Sequence, residues 1–570
     1  MPDTPSSTEV LDVSRAANGA PHDFKRGFRF WIVVLGLGIT SLLAALEHTV
    51  VVTSAPVILT DLQLRENYIW ITNAFFICSA AFQPLLGQLC NIFGRRWIYI
   101  AIVATFTLGS GICGGASTGG MLIAGRAVQG VGSGGIIMMN NVIISDLVPL
   151  RERGKYTAIV LAIFGIGTSL GPFVGGAIVD STAWRWVFWI NLPIGGTSLL
   201  LMFLFLHVNY DREMSFAQKI KRIDFIGNGI LMAGTVAIFY ALTYAGTLYA
   251  WSSWHTLVPL LLGFLGLFLF IGYEVSGFPT EPVVPVRLFA HRTSIIVIIN
   301  TFLNSTVYYW FLYFLPVYFQ AVALYTPFRT GYSLLPLSLF GVPGAAIAAI
   351  ALSRWGKFMP LHFVGFAITT LGIGLLSTMN EDTSVAVWAV FQSISALGIG
   401  IVIDTLLPAF QAPVAETDQA AATAAWSFVR AFGSIWGVAI PAAVFNNRID
   451  GMLDTVSDPE ARELLSYGGA YQEASASFVT QFSPDVQAEI RAVYREGLKL
   501  VFLVGVAFAG LATLIVLLER EVPLRQELDT QYGLEDNTRK GSNNTAEDML
   551  EVGDAKAEKR VNTQGSREAA

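Results

Sequence analysis

Glu47 and Arg126 are ionisable residues that lie inside long apolar stretches of the sequence, where a charge is costly. Glu47 falls within residues 30–53 and Arg126 within residues 121–145. Because a charged side chain inside a bilayer costs at least ~2.5–3.5 kcal/mol, such residues usually serve a function. A carboxyl group can carry a proton when its surroundings alternate between two environments. We predict that Glu47 binds and releases a proton and that Arg126 is its charge partner. The alternative for Arg126 is a side chain extended toward the outer headgroups.

Other reactive side chains are isolated from one another. Cys78, Cys90 and Cys113 show no metal-ligand spacing, and buried thiols are the simpler interpretation. The histidines are equally scattered along the chain: His22, His48, His207, His255, His291 and His362. Residues 356–358 come nearest to a phosphate-binding loop but lack its hydroxyl residue. The sequence therefore predicts no metal and no cofactor, and it favours neither a metal-dependent enzyme nor an ATP-driven pump.

The composition is typical of a membrane protein. Of the 570 residues, 54% are hydrophobic and only 13% are charged, with a mean hydropathy of +0.57. Apolar runs of roughly 20 residues, enough to cross about 30 Å of hydrocarbon as a helix, recur along the chain. They lie near residues 30–53, 69–89, 97–116, 121–145, 156–179, 186–207, 224–247, 256–274, 294–320, 331–352, 361–379, 385–408, 424–446 and 498–518. We predict an all-α polytopic membrane protein of about fourteen spans.

Basic residues follow every second span. They are Lys25, Arg26, Arg29, Arg95, Arg96, Arg151, Arg153, Lys155, Arg212, Lys219, Lys221, Arg222, Arg287, Arg292, Arg354 and Lys357. The short loops between them are poor in Lys and Arg, so both termini are expected in the cytosol. The predicted order is a cytosolic tail (1–29), a six-helix bundle (30–207), two inserted helices (224–274), a second six-helix bundle (294–518) with a long outward loop (447–497), and a disordered cytosolic tail (519–570). The net charge of −6 indicates no nucleic-acid partner.

The loop between the second and third spans combines glycines with arginines. Its notable residues are Gly87, Asn91, Gly94, Arg95 and Arg96. The segment resembles the loop signature of the major facilitator superfamily, in which glycines permit a tight turn and arginines face the cytosol. An ordinary basic loop is the alternative. The family usually has Asp where this chain has Asn91, so we predict that Asp146, at the end of the fourth span, pairs with Arg95 and latches the cytosolic mouth.

The fifth span carries Gly167, Gly171 and Gly175, spaced by four residues, together with Pro172 and Gly176. Such spacing forms one smooth helix face for close packing, which alone would explain the glycines. With the proline, the segment also resembles a signature found in exporters of the superfamily and generally absent from its importers. A similar face of small residues is present in the tenth span: Gly341, Ala345 and Ala349. We predict that these two helices pack together through their small faces.

Aromatic side chains are dense near the ninth span. Tyr308, Trp310 and Phe311 could form a wall for flat, apolar substrates, with Asn304 supplying a polar contact. A plain belt of aromatic residues at the membrane interface is the alternative, because spans collect such residues where they meet the headgroups.

Three further segments resemble the fourteen-span drug:proton antiporters of the superfamily, and fungal secondary-metabolite and toxin efflux pumps in particular. They lie at residues 46–51, 184–193 and 427–434, a fourth such segment lies at residues 315–320, and the resemblance covers roughly residues 30–520. It implies two six-helix bundles with two extra helices between them and a central cavity that opens alternately to each side. It also implies proton-coupled export of hydrophobic small molecules by a monomer in the plasma membrane, with the vacuole as the alternative location. A siderophore importer of the related fourteen-span group is the alternative function.

Overall fold

The computed structural model describes residues 27–62, 69–181, 183–208, 215–246, 248–466 and 468–525. Most of both predicted tails lies outside these residues. The helices, numbered in chain order, are α1 Phe28–Asp61, α2 Ile69–Ala81, α3 Gln83–Phe93, α4 Arg95–Gly114, α5 Gly119–Leu147, α6 Arg153–Ser181, α7 Trp186–Trp189, α8 Asn191–Phe205, α9 Phe216–Lys221, α10 Phe225–Tyr244, α11 Trp254–Val275, α12 Arg292–Val317, α13 Pro327–Ser333, α14 Leu335–Trp355, α15 Met359–Leu376, α16 Val385–Ile403, α17 Leu406–Gln411, α18 Gln419–Asp450, α19 Pro459–Leu465, α20 Gly469–Gln472, α21 Ala476–Val479 and α22 Pro484–Val516.

The number and length of these helices fit a polytopic membrane protein. Among the described residues, twelve stretches are long and apolar enough to cross a bilayer, and the pair α2 and α3, bent by 43°, would make thirteen. The 29-residue helix α6 lies where the fifth span is predicted. A helix is present at each predicted span, so the all-α polytopic architecture is confirmed.

The first bundle is held together by glycines at helix crossings. A Cβ atom at Gly130 would lie 2.3 Å from the carbonyl oxygen of Phe75 on α2, and one at Gly132 would lie 2.5 Å from the backbone nitrogen of Phe106 on α4. Any side chain at these positions would push the helices apart. The glycines of α5 therefore let it pack tightly between its two neighbours.

The predicted outward loop at residues 447–497 is largely helical. It contains α19, α20 and α21, and α22 begins at Pro484 with Ser483 as its N-cap. Apolar residues of the segment, including Leu465 and Phe478, are buried in the hydrophobic core that also contains the end of α12. The loop is thus a packed cap on the second bundle.

The inserted helices α10 and α11 contact both bundles. Phe239 on α10 stacks on Phe432 of α18 with ring centroids 5.8 Å apart, and Trp70 on α2 lies 6.3 Å from Tyr240. The inserted pair therefore packs against one side of the junction between the bundles.

The two bundles meet at the end that carries the loops before α4 and α6 and after α14, here called the basic end. A Cβ atom at Gly87 on α3 would lie 2.3 Å from the Cβ of Ala424 on α18, and one at Gly154 on α6 would lie 3.2 Å from the Cβ of Ala349 on α14. At these two points the bundles are in direct contact, so they are closed against each other at the basic end.

Candidate functional site

Glu47 and Arg126 form an ion pair in the interior of the first bundle. Glu47 is 0% exposed and Arg126 is 2% exposed, and Nη1 of the arginine donates to Oε1 of the glutamate. The guanidinium also donates through Nε to the carbonyl oxygen of Ile71 at 2.8 Å and lies 4.2 Å from the ring centroid of Phe75. Arg126 is thus held in the protein interior, and the alternative of a side chain extended toward the headgroups is wrong.

Three polar side chains complete this network. Nδ2 of Asn191 donates to Oε2 of Glu47 at 2.6 Å, so each carboxylate oxygen has a donor. Gln129 accepts from Arg126 at 2.8 Å and donates to Ser110 at 2.7 Å. Asn191 was not among the residues predicted for this site. The sequence does contain a signal for it, because Asn191 is a polar residue at the point where α7 ends and α8 begins.

His48 links this network to the surface that faces the second bundle. Its ring makes edge contacts with Phe75, Phe76 and Phe164, at 5.1, 5.3 and 5.9 Å between ring centroids. Arg430 on α18 is close enough to act electrostatically on His48. Because these residues belong to opposite bundles, the region between them lies at the interface of the bundles, and it is here called the central space.

The predicted substrate-wall residues divide into two groups. Tyr308 is half-buried, acts electrostatically with Arg430 and contacts Tyr309 at 5.3 Å between ring centroids. Trp310 and Phe311 are each 1% exposed and belong to the packed core of the second bundle. They therefore lie inside the bundle and not on a wall.

The fourth member of the predicted wall, Asn304, is 4% exposed on α12. Its neighbour Ser305 donates to the carbonyl oxygen of Arg430 at 2.6 Å, which ties α12 to α18. Tyr308 is thus the predicted wall residue that retains partial exposure beside the central space.

At the basic end, Arg95 contacts Asp146, the carboxylate predicted to be its partner. Its Nε lies 2.9 Å from Oδ2 of Asp146, with 0% and 6% of the two side chains exposed. Gly94 has φ of +86° and forms the turn between α3 and α4. Arg96 donates instead to the carbonyl oxygen of Phe203 at 2.7 Å, and no partner is described for Oδ1 of Asn91.

The predicted Arg95–Asp146 contact is present, but it lies within the first bundle and does not itself join the two bundles. Arg153 does join them. Its Nη1 donates to Gln411 and to Gln419 of the second bundle, each at 2.8 Å, and its Nη2 donates to the carbonyl oxygen of Ser145 at 2.6 Å. The positive-inside pattern marked Arg153 only as a loop residue, whereas it is 2% exposed.

The glycine face of α6 packs against α1, so the predicted partner on α14 is wrong. A Cβ atom at Gly167 would lie 2.7 Å from the Cβ of Ala45, and one at Gly171 would lie 1.9 Å from Oγ1 of Thr49. Helices α6 and α14 do pack together, as predicted, and Ala349 of the predicted α14 face takes part, but it meets Gly154 of α6 and not the predicted glycines. Gly341 instead lies against α16, because a Cβ atom added at Gly341 would be 3.6 Å from the carbonyl oxygen of Ala396.

Two members of the predicted exporter signature, Pro172 and Gly176, are described only through their helical backbone, and Gly175 is buried in the same helix. The α1 residues that meet the glycine face flank Glu47 at one helical turn or less. The glycines therefore set the distance between α6 and the helix that carries the carboxylate.

This packing predicts that Gly171→Ala lowers transport by at least about tenfold through displacement of α1. A second change, Thr49→Gly, removes the nearest atoms and should restore part of the activity. Gly196→Ala on α8 is the matched control, because a Cβ atom there meets nothing within 4 Å among the described residues. Transport per molecule of membrane-inserted protein is the measurement. Equal rescue of Gly171→Ala by a change on α14 would contradict the observed packing.

Comparison with known proteins identifies the family. Residues 37–438 match the Major Facilitator Superfamily. The chain is 58% identical over 534 residues to the MFS-type transporter TwmF of Talaromyces wortmannii, covering 93% of this chain and 97% of that protein. It is 42% identical over 550 residues to the MFS efflux transporter aclA of Aspergillus oryzae, covering 96% and 98%. It is also 42% identical over 514 residues to the MFS-type efflux pump LUC4 of a Fusarium species, covering 90% and 91%.

Solved structures agree on the fold. The human organic anion transporter MFSD10 (TETRAN) aligns with a TM-score of 0.53 at 13% identity, covering 86% of this chain and 100% of the solved chain. The proton:xylose symporter XylE aligns with a TM-score of 0.52 at 14% identity, covering 80% and 96%. The chain has a helix at every predicted span, a buried ion pair between two of these helices, and the relatives above over most of its length. It therefore belongs to the major facilitator superfamily and is a multi-pass membrane transporter, similar to fungal efflux pumps, and not an enzyme.

Proposed function

We propose that this transporter exports hydrophobic small molecules, of the kind that fungi make as secondary metabolites, in exchange for protons. The observation that carries the proposal is the buried Glu47–Arg126 pair, because it places one titratable carboxyl inside a bundle that must move. Close relatives named as efflux pumps support the direction of transport.

The described conformation would then be closed to the cytosol. The basic end carries the Lys- and Arg-rich loops, which the positive-inside rule assigns to the cytosol together with both termini. The contacts of Gly87 with Ala424 and of Arg153 with Gln411 seal that end. The central space beside His48 and Tyr308 would accordingly exchange with the outside.

Protonation of Glu47 offers a way to couple the gradient to movement. As an anion, Glu47 accepts charge-assisted bonds from Arg126 and Asn191 and so ties α1 to α5 and α8. A proton taken up on a carboxylate oxygen from the outside removes the negative charge of Glu47 and with it the ion-pair attraction to Arg126. The bond from Asn191 then joins two neutral groups and is about half as strong. The looser α1 can then follow the bundle to the inward-open conformation, where the proton is released to the cytosol.

A transport assay in a defined membrane tests this proposal. Purified protein in proteoliposomes, loaded with the hydrophobic dye rhodamine 6G, should move the dye when a pH gradient is imposed and stop when a protonophore collapses the gradient. Dye movement that ignores the gradient would overturn proton coupling. Accumulation of a radiolabelled ferric siderophore by cells that express the gene, compared with cells that lack it, would instead support the siderophore importer.

Tyr308 is half-buried, whereas Trp310 is fully buried in the core, so Tyr308→Ala and Trp310→Ala should have different effects. Trp310 is packed against Phe508 and α22, so its truncation should cost about 3–5 kcal/mol and lower the unfolding temperature and the yield. Tyr308→Ala should keep the yield within about twofold while changing the relative export rates of different dyes. Melting curves in detergent and export rates per molecule separate the two effects. Unchanged dye preference in Tyr308→Ala would remove this residue from the substrate path.

A further inference from the structure

Asp404 is a buried carboxyl group that belongs neither to the Glu47–Arg126 ion pair nor to the hydrogen bonds described above at the basic end. It is 2% exposed and lies in the turn between α16 and α17. Neither of its oxygens has a hydrogen-bond donor within reach among the described residues. The adjacent Thr405 directs its hydroxyl to the carbonyl oxygens of Ile401 and Val402, both at 3.0 Å.

The position of Asp404 is at the junction of the bundles. A Cβ atom on Gly154, in the first turn of α6, would lie 3.6 Å from Oδ2 of Asp404 and 3.2 Å from the Cβ of Ala349. The first bundle therefore covers the carboxyl of the second bundle at the basic end. Separation of the bundles there would uncover it.

The charged groups on the elements around Asp404 are engaged elsewhere or exposed. Arg151 donates to the carbonyl oxygens of Ser353 and Arg354 at 2.7 Å, Arg153 bonds Gln411 and Gln419, Lys155 lies 3.9 Å from Glu152, and His362 pairs with Glu519 at 2.8 Å. Arg292, Arg354 and Lys357 are exposed. None of the described cations therefore compensates a negative charge on Asp404.

An unpaired carboxylate buried in this way costs several kcal/mol, whereas the neutral acid escapes most of that cost. We propose that Asp404 is a second proton-binding site, which must be protonated before the bundles can close at the basic end and which releases its proton to water when they part. The proton moves between a carboxyl oxygen of Asp404 and water, and no other bond changes.

This role differs from that of Glu47. Asp404 exchanges its proton at the basic end in both directions, so it carries no proton across the membrane. It makes the closed-to-open ratio depend on the pH at that end, which is the cytosolic side under the proposed orientation. The inference rests on the alternating access proposed above and is independent of which residue carries the transported proton.

The sign of the pH effect follows from linkage. Because the closed form holds a proton that the open form releases, the closed-to-open ratio should rise as pH falls, by about tenfold per pH unit where only the open form is charged. Spin labels at Trp97 and Lys357, both exposed at the basic end on opposite bundles, report this ratio by double electron–electron resonance. The three native cysteines, Cys78, Cys90 and Cys113, are replaced beforehand.

The variants separate the two carboxyls. In Glu47→Gln the closed-to-open ratio should still rise as pH falls, whereas adding Asp404→Asn or Asp404→Ala to Glu47→Gln should abolish this rise. Asp382→Asn, an exposed acid of the second bundle, is the matched control and should behave like the wild type.

Full pH dependence in both double variants, or its complete loss in Glu47→Gln alone, would overturn the assignment. Failure of proton-driven dye export with intact pH-dependent closure would overturn the proposed function and leave this inference standing. The two proposals therefore fail on different measurements.

Discussion

Replacing Glu47 with Gln is expected to reduce proton-driven export to the background rate while leaving the protein folded in its membrane. Gln keeps the shape of the side chain and can still accept from Arg126 or Asn191, but it cannot exchange a proton. Glu47→Ala, in contrast, would leave the buried guanidinium of Arg126 without its carboxylate, at a cost of about 3–5 kcal/mol. The Gln variant thus separates coupling from folding, and the Ala variant should show lower yield.

Two assays on the same proteoliposomes locate the defect. Export driven by a pH gradient should be lost in Glu47→Gln, whereas exchange of labelled for unlabelled dye at equal pH should continue, because exchange needs movement without net proton flow. Normal gradient-driven export in this variant would remove Glu47 from the mechanism.

Asp61→Asn is the matched control for this experiment, since Asp61 ends the same helix. Asp61 is exposed, and a 2.8 Å hydrogen bond from the indole of Trp184 holds the pKa of its carboxyl below the ordinary value. It therefore stays charged at neutral pH outside the membrane span. Its variant should export at close to the wild-type rate, and a loss equal to that of Glu47→Gln would indicate a general effect of removing negative charge from α1.

The sequence predicted the helices and the special residues well, because both signals are local. A run of apolar residues near the length of the bilayer core predicts a span wherever it lies, and an acid or base inside such a run must find a partner. Glu47 and Arg126 each stood out for that reason, and their contact follows from the shortage of other partners in the first bundle.

The sequence could not predict which helix faces meet. Small residues spaced by four, as at Gly167 and Gly171, indicate close approach but carry no information about the partner. The face was assigned to α14, and the structure places it on α1. Arg153 was missed because it lies next to a loop in the sequence, and Asp404 because it lies near the end of its predicted span, 385–408. Their burial comes from the other bundle, which no local pattern reveals.

Removing the hydrogen-bond donors of the Arg153 guanidinium is expected to separate the two bundles at the basic end. Nη1 of this residue makes two bonds to glutamines of the second bundle, and a hydrogen bond from a charged donor contributes about 1.5–3 kcal/mol. Arg153→Met keeps the aliphatic stem and removes every donor. The closed-to-open ratio should therefore fall by at least about tenfold, and the transport cycle should slow because the outward-facing conformation is reached less often. Spin labels at Trp97 and Lys357 measure the ratio directly.

A graded series distinguishes the bonds of Arg153 from its charge. Arg153→Lys retains the charge but cannot reproduce the planar guanidinium geometry, so it should lie between the wild type and Arg153→Met. Lys155→Met, in the same helical turn, is the matched control, because Lys155 is partly exposed and lies 3.9 Å from Glu152 of its own bundle. An equal shift in Lys155→Met would attribute the effect to the general loss of basic charge.

Asp146→Asn tests whether the Arg95–Asp146 pair or Arg153 holds the two bundles together at the basic end. Because Arg95 and Asp146 belong to one bundle, breaking their 2.9 Å contact should loosen the turn at Gly94 without directly removing a bond between bundles. We expect a smaller shift in the closed-to-open ratio than in Arg153→Met, and Asn91→Asp should be tolerated, since it adds a carboxylate beside Arg95. Membrane orientation must be checked in each variant, because basic loop residues such as these arginines also help to set the orientation of a membrane protein. A shift in Asp146→Asn as large as that in Arg153→Met, with orientation unchanged, would restore the Arg95–Asp146 pair as the latch and reduce Arg153 to a supporting contact.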